Sequence, residues 1–235
     1  TAALIEKLVL EIGIQNIKTQ TKTTTIKEEN NHLNILDSSG NSYSADKVIS
    51  TIPPNLLVNS VVFEPKLPEN FTQLAKTTHT WMGESIKFAV EYKTPFWKQN
   101  HYSGTIFSQA SIIQEMYDHS TATNCGFALK GFLNGGTAVF SKEDRKEKAI
   151  AQLTAFFGLE ATDYVAYYEN VWREEPLTFQ PYEQLVLAHQ NNGHSLFKNP
   201  LLNEKLYVSG AETATQSPGY MNGAIFAAKT LASQF

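Results

Sequence analysis

The chain predicts an α+β (mixed α/β) fold, and three features carry that prediction. Strand-like and helix-like segments alternate along its 235 residues, which argues against an all-β sandwich. Residues 86–92 alternate apolar and polar side chains, the period of a half-buried strand. Residues 141–158 repeat apolar positions at helical spacing.

At the start, 2–12 places Ala3, Leu4, Leu8 and Ile12 on one helical face, with Glu6, Lys7 and Glu11 off it, and Gly13 ends the helix. From 14 to about 52 the texture changes to short segments rich in Thr, Ile and Val. Ile26, Leu33 and Ile35 carry the apolar signal there, and 29–31 and 37–41 have turn composition. This pattern predicts a small antiparallel excursion closed by a strand over 47–51. That strand stops at Pro53 and Pro54, which lack the amide a sheet needs. Residues 55–80 are mixed and punctuated by proline.

Beyond the 86–92 strand, strand-like stretches recur at 103–108, 113–117 and 126–133, separated by glycine turns. The 141–158 helix has Ser141 and Asp144 at the spacing of a capping box. Its predicted apolar face is Ala149, Ile150, Leu153, Phe156 and Phe157, and Gly158 closes it. A strand over 164–172, an irregular stretch over 176–205 and a short buried strand over 206–209 follow. A last helix is predicted from 217 to the end, with Pro218 near its first position.

Composition narrows the function classes. The chain is 42% hydrophobic and 18% charged, enough apolar material for a sizeable core. It carries 19 basic and 23 acidic residues, a formal charge of -4, with no basic stripe, so no nucleic-acid partner is expected. A single cysteine, Cys125, excludes a disulfide framework and a thiolate metal cage, and is expected to be a small buried hydrophobe. No apolar run approaches the roughly 20 residues that cross a bilayer. The first residues lack a signal-peptide pattern, so a cytoplasmic location is expected. His189 and His194, the one close histidine pair, lie five residues apart with no carboxylate cluster, so no metal is expected. There is no G-x-S-x-G elbow and no phosphate-cradling glycine loop.

Two places could carry chemistry. Residues 206–213 form a strand entering a turn with Gly210 and Glu212, and Gly219, Tyr220, Met221, Asn222, Gly223 and Ala224 then open a helix. Each glycine costs a helix about 1 kcal/mol relative to alanine. Such glycines suit either close approach of a ligand to the backbone or a helix packed through small residues. A helix N-terminus also favours an anionic oxygen. The second place is the strand holding Lys87, which points away from its apolar neighbours Ile86 and Phe88. Trp172 alone reads as a core residue.

Taken in order, these pieces resemble the C-terminal half of FAD-dependent amine oxidases of the monoamine oxidase type, over nearly the whole chain. Residues 45–54 resemble the strand and double proline that leave the FAD domain. Residues 82–87, 92–97 and 102–104 resemble the family's glycine–lysine strand and the aromatic segment after it. Residues 141–145 resemble the start of its long substrate-domain helix. Residues 207–215 and 219–224 resemble its final flavin-binding signature.

The resemblance implies two remnants of a Rossmann-like FAD domain, 1–54 and 176–235, around a substrate-binding domain over 55–175. The family's dinucleotide-binding glycine loop lies in its N-terminal half, so this chain alone is expected neither to hold FAD tightly nor to be active. Lys87 matches the lysine that holds a water beside the hydride-accepting flavin nitrogen. Tyr220 matches one wall of an aromatic pair that guides the amine, and Trp172 a tryptophan packed on the flavin. Thr23 falls where backbone meets the adenine. Pro53, Gly210, Glu212 and Gly219 to Ala224 fall around the cofactor. Phe179 and Tyr182 are candidates for the second substrate wall, with Val186 an alternative. No cysteine stands in 176–193 to tether the flavin, so FAD is expected to be non-covalent.

The expected reaction is oxidation of a small amine with hydride transfer to FAD and peroxide formation. Related FAD enzymes acting on porphyrinogens or carotenoids, and a non-catalytic binding module, are the alternatives. Apolar surface left on the remnants is expected to favour a homodimer.

Overall fold

In the computed structural model, which describes residues 2–123, 125–182, 187 and 189–235, the chain opens with helix α1 (Ala2–Ile12). Gly13 ends it at φ +83°, a left-handed conformation that glycine adopts without a Cβ clash. No residue of α1 is buried, and its apolar residues Leu4, Leu8 and Ile12 remain exposed. Strands β1 (Thr23–Glu29), β2 (His32–Asp37) and β3 (Ser42–Ala45) form the antiparallel excursion, with Ile26 opposite Ile35. Asn30 and Asn31, both at positive φ, turn β1 into β2.

Strand β4 (Val48–Ser50) then leads to the double proline. The strand ends at Ser50, and Pro54 starts a helix, α2 (Pro54–Ser60), at a position where its missing amide costs nothing. Strand β5 (Val62–Glu64) runs parallel to β1 and completes a sheet of order β3-β2-β1-β5, and α3 (Glu69–Lys76) follows. The sequence pattern had no element in 55–80, because helices of seven and eight residues span too few turns for a period to emerge. Leu57, Phe63, Phe71 and Ala75 join Ile26 and Leu33 in one core.

The second sheet is antiparallel throughout, in the order β10-β6-β9-β8-β7. Its strands are β6 (Ile86–Tyr92), β7 (Ile106–Phe107), β8 (Ile113–Asp118), β9 (Phe127–Leu133) and β10 (Tyr164–Val171), with α4 (Phe96–Gln99) between β6 and β7. One face carries Ile86, Phe88, Val90 and Tyr92 with Met116, Leu129 and Leu133, and α5 (Lys142–Phe157) contributes Ala149, Leu153 and Phe157 to the same core. Two details of α5 differ from the sequence pattern. The Ser141 hydroxyl accepts the Asp144 amide at 3.1 Å but also donates to the Asp144 carboxylate at 2.7 Å, so only half of the capping box forms. Phe156, expected inside, is exposed, while Arg145 and Gln152 are buried. Gln152 accepts from the Ile113 amide at 2.7 Å and donates to its carbonyl at 3.1 Å, pairing with the backbone of β8 as a neighbouring strand would.

Gly131 sits where β8 and β9 approach closely. A Cβ there would lie 2.0 Å from the Glu115 carbonyl oxygen, in the backbone itself. Gly131→Ala should therefore destabilise the chain by about 1–3 kcal/mol, the usual cost of overpacking, and urea denaturation would measure it. Cys125 is exposed, contrary to expectation, because it follows the turn that leads into β9 and not the strand itself.

The chain closes with β11 (Leu206–Val208), parallel to β4, and helix α6 (Met221–Ala232). The last helix starts later than 217 because Ser217 and Gly219 both take positive φ, which no right-handed helix accommodates. Overall the chain is divided into two compact units, 1–79 with 189–235 and 80–188. Residues 55–79 group with the first, through the pairing of β5 with β1 and the core that Leu57, Phe71 and Ala75 share with Ile26, Leu33 and Leu206.

Candidate functional site

In the second unit, the alternation of β6 turns Ile86 and Phe88 into the core and leaves half-buried Lys87 on the opposite face. There Lys87 stands between Phe132 of β9 and Asn170 of β10, its ammonium 5.6 Å from the Phe132 ring centroid. Trp172 follows the end of β10, its amide donating to the Ser85 carbonyl at 3.1 Å. It is half-buried and not a core residue.

The turn before β6 gathers the remaining aromatic candidates. The Glu84 carboxylate pairs with the Arg173 guanidinium at 2.8 Å and accepts the Tyr182 hydroxyl. Burial first, and then that bond to Glu84, push the Tyr182 hydroxyl up to about 12. Phe179 lies 5.9 Å from the Tyr182 ring and under the Arg173 guanidinium, and its ring edge would meet a Cβ at Gly83 at 3.2 Å. Thus Lys87, Trp172, Phe179 and Tyr182 belong to one end of one sheet. Val186 lies outside the described residues.

The first unit holds the other candidates. Strands β4 and β11 run in parallel, with the Ser209 amide donating to the Ser50 carbonyl at 2.9 Å. Where they end stand Pro53, capping α2, and Gly210, whose amide donates to the Thr213 hydroxyl at 3.0 Å. Glu212 is buried in the next turn, and burial raises its carboxyl above the usual carboxylate range. Ser50 is also buried, and its hydroxyl has no hydrogen-bond partner among the described residues.

Tyr220 caps α6, half exposed, with its ring stacked on His189 at 6.2 Å between centroids. Met221 and Asn222 follow on the exposed first turn, and Ala224 donates its amide to the Tyr220 carbonyl at 3.1 Å. Gly223 has a nearer neighbour than any ligand. A Cβ there would fall 2.2 Å from the Ser217 carbonyl oxygen, so this glycine serves the close packing of the preceding turn. Gly219, at φ +79°, makes that turn. Thr23 opens β1 opposite Asp37, in the four-stranded sheet and not in the β4–β11 pair. No group of three or more His, Cys, Asp or Glu that could hold a metal ion occurs among the described residues.

The sequence pattern missed Ser50, Lys130 and the buried Arg145. Lys130 had a usable signal, because Leu129, Gly131 and Leu133 alternate with it just as the β6 core residues alternate with Lys87. Arg145 had none, since a basic residue in a first helical turn reads as solvated.

Glu212 makes a pH prediction. A carboxyl whose folded value is raised destabilises the fold once pH passes the ordinary carboxylate range, where the unfolded chain ionises and the folded chain resists. Glu212→Gln should therefore stabilise the chain at neutral pH, on the order of 1 kcal/mol, and leave it unchanged near pH 4. Thermal melts at the two pH values measure it, and an equal shift at both would count against burial as the cause.

The chain is similar to known proteins over nearly its whole length. Residues 2–234 match the family model described as "Flavin containing amine oxidoreductase". Human flavin-containing amine oxidase B is 30% identical over 227 residues, 92% of this chain and 40% of that protein. A probable flavin-containing monoamine oxidase A of Dictyostelium discoideum is 26% identical over 94% of this chain and 48% of its own length. Among solved structures, wild-type putrescine oxidase bound to putrescine aligns with a TM-score of 0.82 at 25% identity, over 97% of this chain and 51% of that one. The chain thus spans about half or less of the relatives it matches. No helix among the described residues is long and apolar enough to cross a membrane.

Proposed function

Since the chain belongs to the family of flavin containing amine oxidoreductases, we propose that it is the flavin-contacting and substrate-facing half of an enzyme that oxidises an amine carbon–nitrogen bond. FAD is the cofactor that the family implies. The first unit corresponds in this proposal to the C-terminal part of a Rossmann-like FAD domain, and the second to the substrate domain.

One observation carries the proposal: the end of the parallel β4–β11 pair. Buried Ser50, whose hydroxyl has no partner among the described residues, buried Glu212 with a proton-favouring carboxyl, and Gly210 belong to that end, and α6 follows with no side-chain cap at Tyr220. Ligands of open α/β sheets bind outside the carboxyl ends of parallel strands. This donor set fits a cofactor with hydroxyls along a chain and an electron-rich ring edge. Ser50, Pro53, Gly210, Glu212 and residues 219–224 would hold it, with Thr23 toward its adenine end, and without a covalent bond.

When bound, FAD supplies an acceptor for the hydride equivalent of the amine and a route for the electrons to oxygen, yielding hydrogen peroxide. The chain's own residues do the rest. Lys87 brings a positive charge and a positioned water to the reacting end. Trp172, Phe179 and Tyr182 offer aromatic surface that excludes water and receives a neutral amine. No side chain is needed as a base, because the amine enters deprotonated.

Purified complete gene product should carry stoichiometric flavin and release peroxide with one or more of a panel of small amines. Flavin that no amine reduces under anaerobic conditions, but a porphyrinogen does, would move the protein to the related oxidases. The 235-residue chain by itself should purify without stoichiometric flavin, because it contains no phosphate-cradling glycine loop. A yellow, stoichiometric complex would overturn that part.

A further inference from the structure

The open face of the five-stranded sheet holds a second lysine that amine oxidation as described does not use. Along the antiparallel pair of β6 and β9, Lys87 stands opposite Phe132 and Ala89 opposite Lys130. Leu129, Gly131 and Leu133 are turned to the core, so Lys130 and Phe132 share the face of Lys87. The two lysines are diagonal neighbours, a separation of roughly 7–8 Å. The tight seam at Gly131 fixes the strand that carries Lys130 against β8.

Small residues leave room above this pair, and aromatic ones wall it. Ala89 and Ala128 lie beside the lysines, Tyr117 of β8 stands opposite Lys130, and Tyr168 of β10 stands opposite Ala89. Two carboxylates belong to the same face. Glu91 accepts the Tyr168 hydroxyl at 3.2 Å, and Glu115 stands opposite Phe132 on β8. Neither pairs with a lysine, and among the described residues neither Lys87 nor Lys130 has a carboxylate within ion-pair distance. Burial first, and then the charge of Lys87, hold the Lys130 ammonium below the usual lysine range, and no carboxylate pulls it back. Two adjacent like charges, half withdrawn from water, favour an anion that would neutralise them.

We infer that Lys130, held at a fixed distance from Lys87, is a specificity-determining residue that selects amines carrying a carboxylate remote from the reacting nitrogen. This rests on the proposal that the Lys87 face receives the amine. A second cationic group on the substrate would meet the same two charges and be repelled, so diamines are rejected by the same device.

Three five-carbon amines test it in the flavin-loaded complete gene product: pentylamine, cadaverine and the pentanoate bearing a terminal amine. The aminopentanoate should exceed pentylamine in kcat/KM by about tenfold or more, with cadaverine lowest. Lys130→Met should bring the aminopentanoate-to-pentylamine ratio close to one, and Lys130→Arg should keep it. Lys130→Gln replaces Lys130→Met should the latter fail to fold. Calorimetric binding of pentanoate, which needs no turnover, should weaken about tenfold in Lys130→Met and hold in Lys130→Arg. If pentylamine is the better substrate of the unaltered protein, or pentanoate binds Lys130→Met undiminished, the inference is wrong. If no amine is oxidised while pentanoate binding still depends on Lys130, the oxidase proposal fails and the anion-selecting face stands.

Discussion

Lys87→Met in the complete gene product should leave flavin content nearly unchanged while slowing flavin reduction or reoxidation about a hundredfold. Methionine keeps the length and volume of lysine but loses its charge and its capacity to hold a water. One such preorganised donor typically contributes about 3 kcal/mol to a rate. The location of Lys87 separates this effect from a folding defect. It lies on the face of β6 opposite Ile86, Phe88 and Val90, with no ion pair among the described residues, so the core does not depend on it. Stopped-flow measurement of the two half-reactions is the check. If both remain within about twofold of the unaltered enzyme, Lys87 is only a strand residue facing solvent.

The second large effect concerns the fold beneath that face. Arg145, from the first turn of α5, is almost fully buried and pairs with buried Glu169 of β10 at 2.6 Å. Its Nε also donates to Glu169 at 3.1 Å, while its remaining nitrogen donates to carbonyls of the 137–140 turn, including that of Phe140. The Tyr167 hydroxyl donates to the same carboxylate at 2.8 Å, and burial with this bond raises it above the usual phenol range.

Removing one member leaves a buried charge without a partner, so Glu169→Leu should cost about 3–5 kcal/mol. Replacing both, Arg145→Met with Glu169→Leu, should recover much of that loss, since a hydrophobic pair of similar volume avoids desolvating two ions. Urea denaturation of the two single variants and the double variant forms the cycle. Additive losses in the double variant would mean that the two residues act independently.

The two predictions differ in how far the sequence foretold them. Lys87 is legible because it falls between members of the apolar series Ile86, Phe88, Val90 and Tyr92, and a period of two is encoded within seven residues. Ser141 as a cap and Gly13 as a helix end are legible for the same reason, since each depends only on adjacent backbone. Short helices such as α2 are illegible, because Pro54 reads as a strand terminator unless the turns after it are already known to be packed. Arg145 and Gln152 read as solvated because nothing nearby in sequence announces Glu169, 24 residues away, or the Ile113 backbone, 39 residues away.

Gly223 is instructive in the other direction. The sequence marks it as a place of close approach, and it is one. The approaching group, however, is the Ser217 carbonyl of the preceding turn.

By itself, then, the sequence determined the mixed α/β class, the alternation that exposes Lys87, and the ordered motifs that place the chain in its family. Only the tertiary structure decided that Lys130 stands diagonal to Lys87, that Arg145 is buried on Glu169, and that Ser50 and Glu212 belong to the end of one parallel pair. Periodicity is written in neighbouring residues and survives without any partner. Which charge faces which depends on the strand that lies alongside, and that strand is chosen by burial across the whole chain.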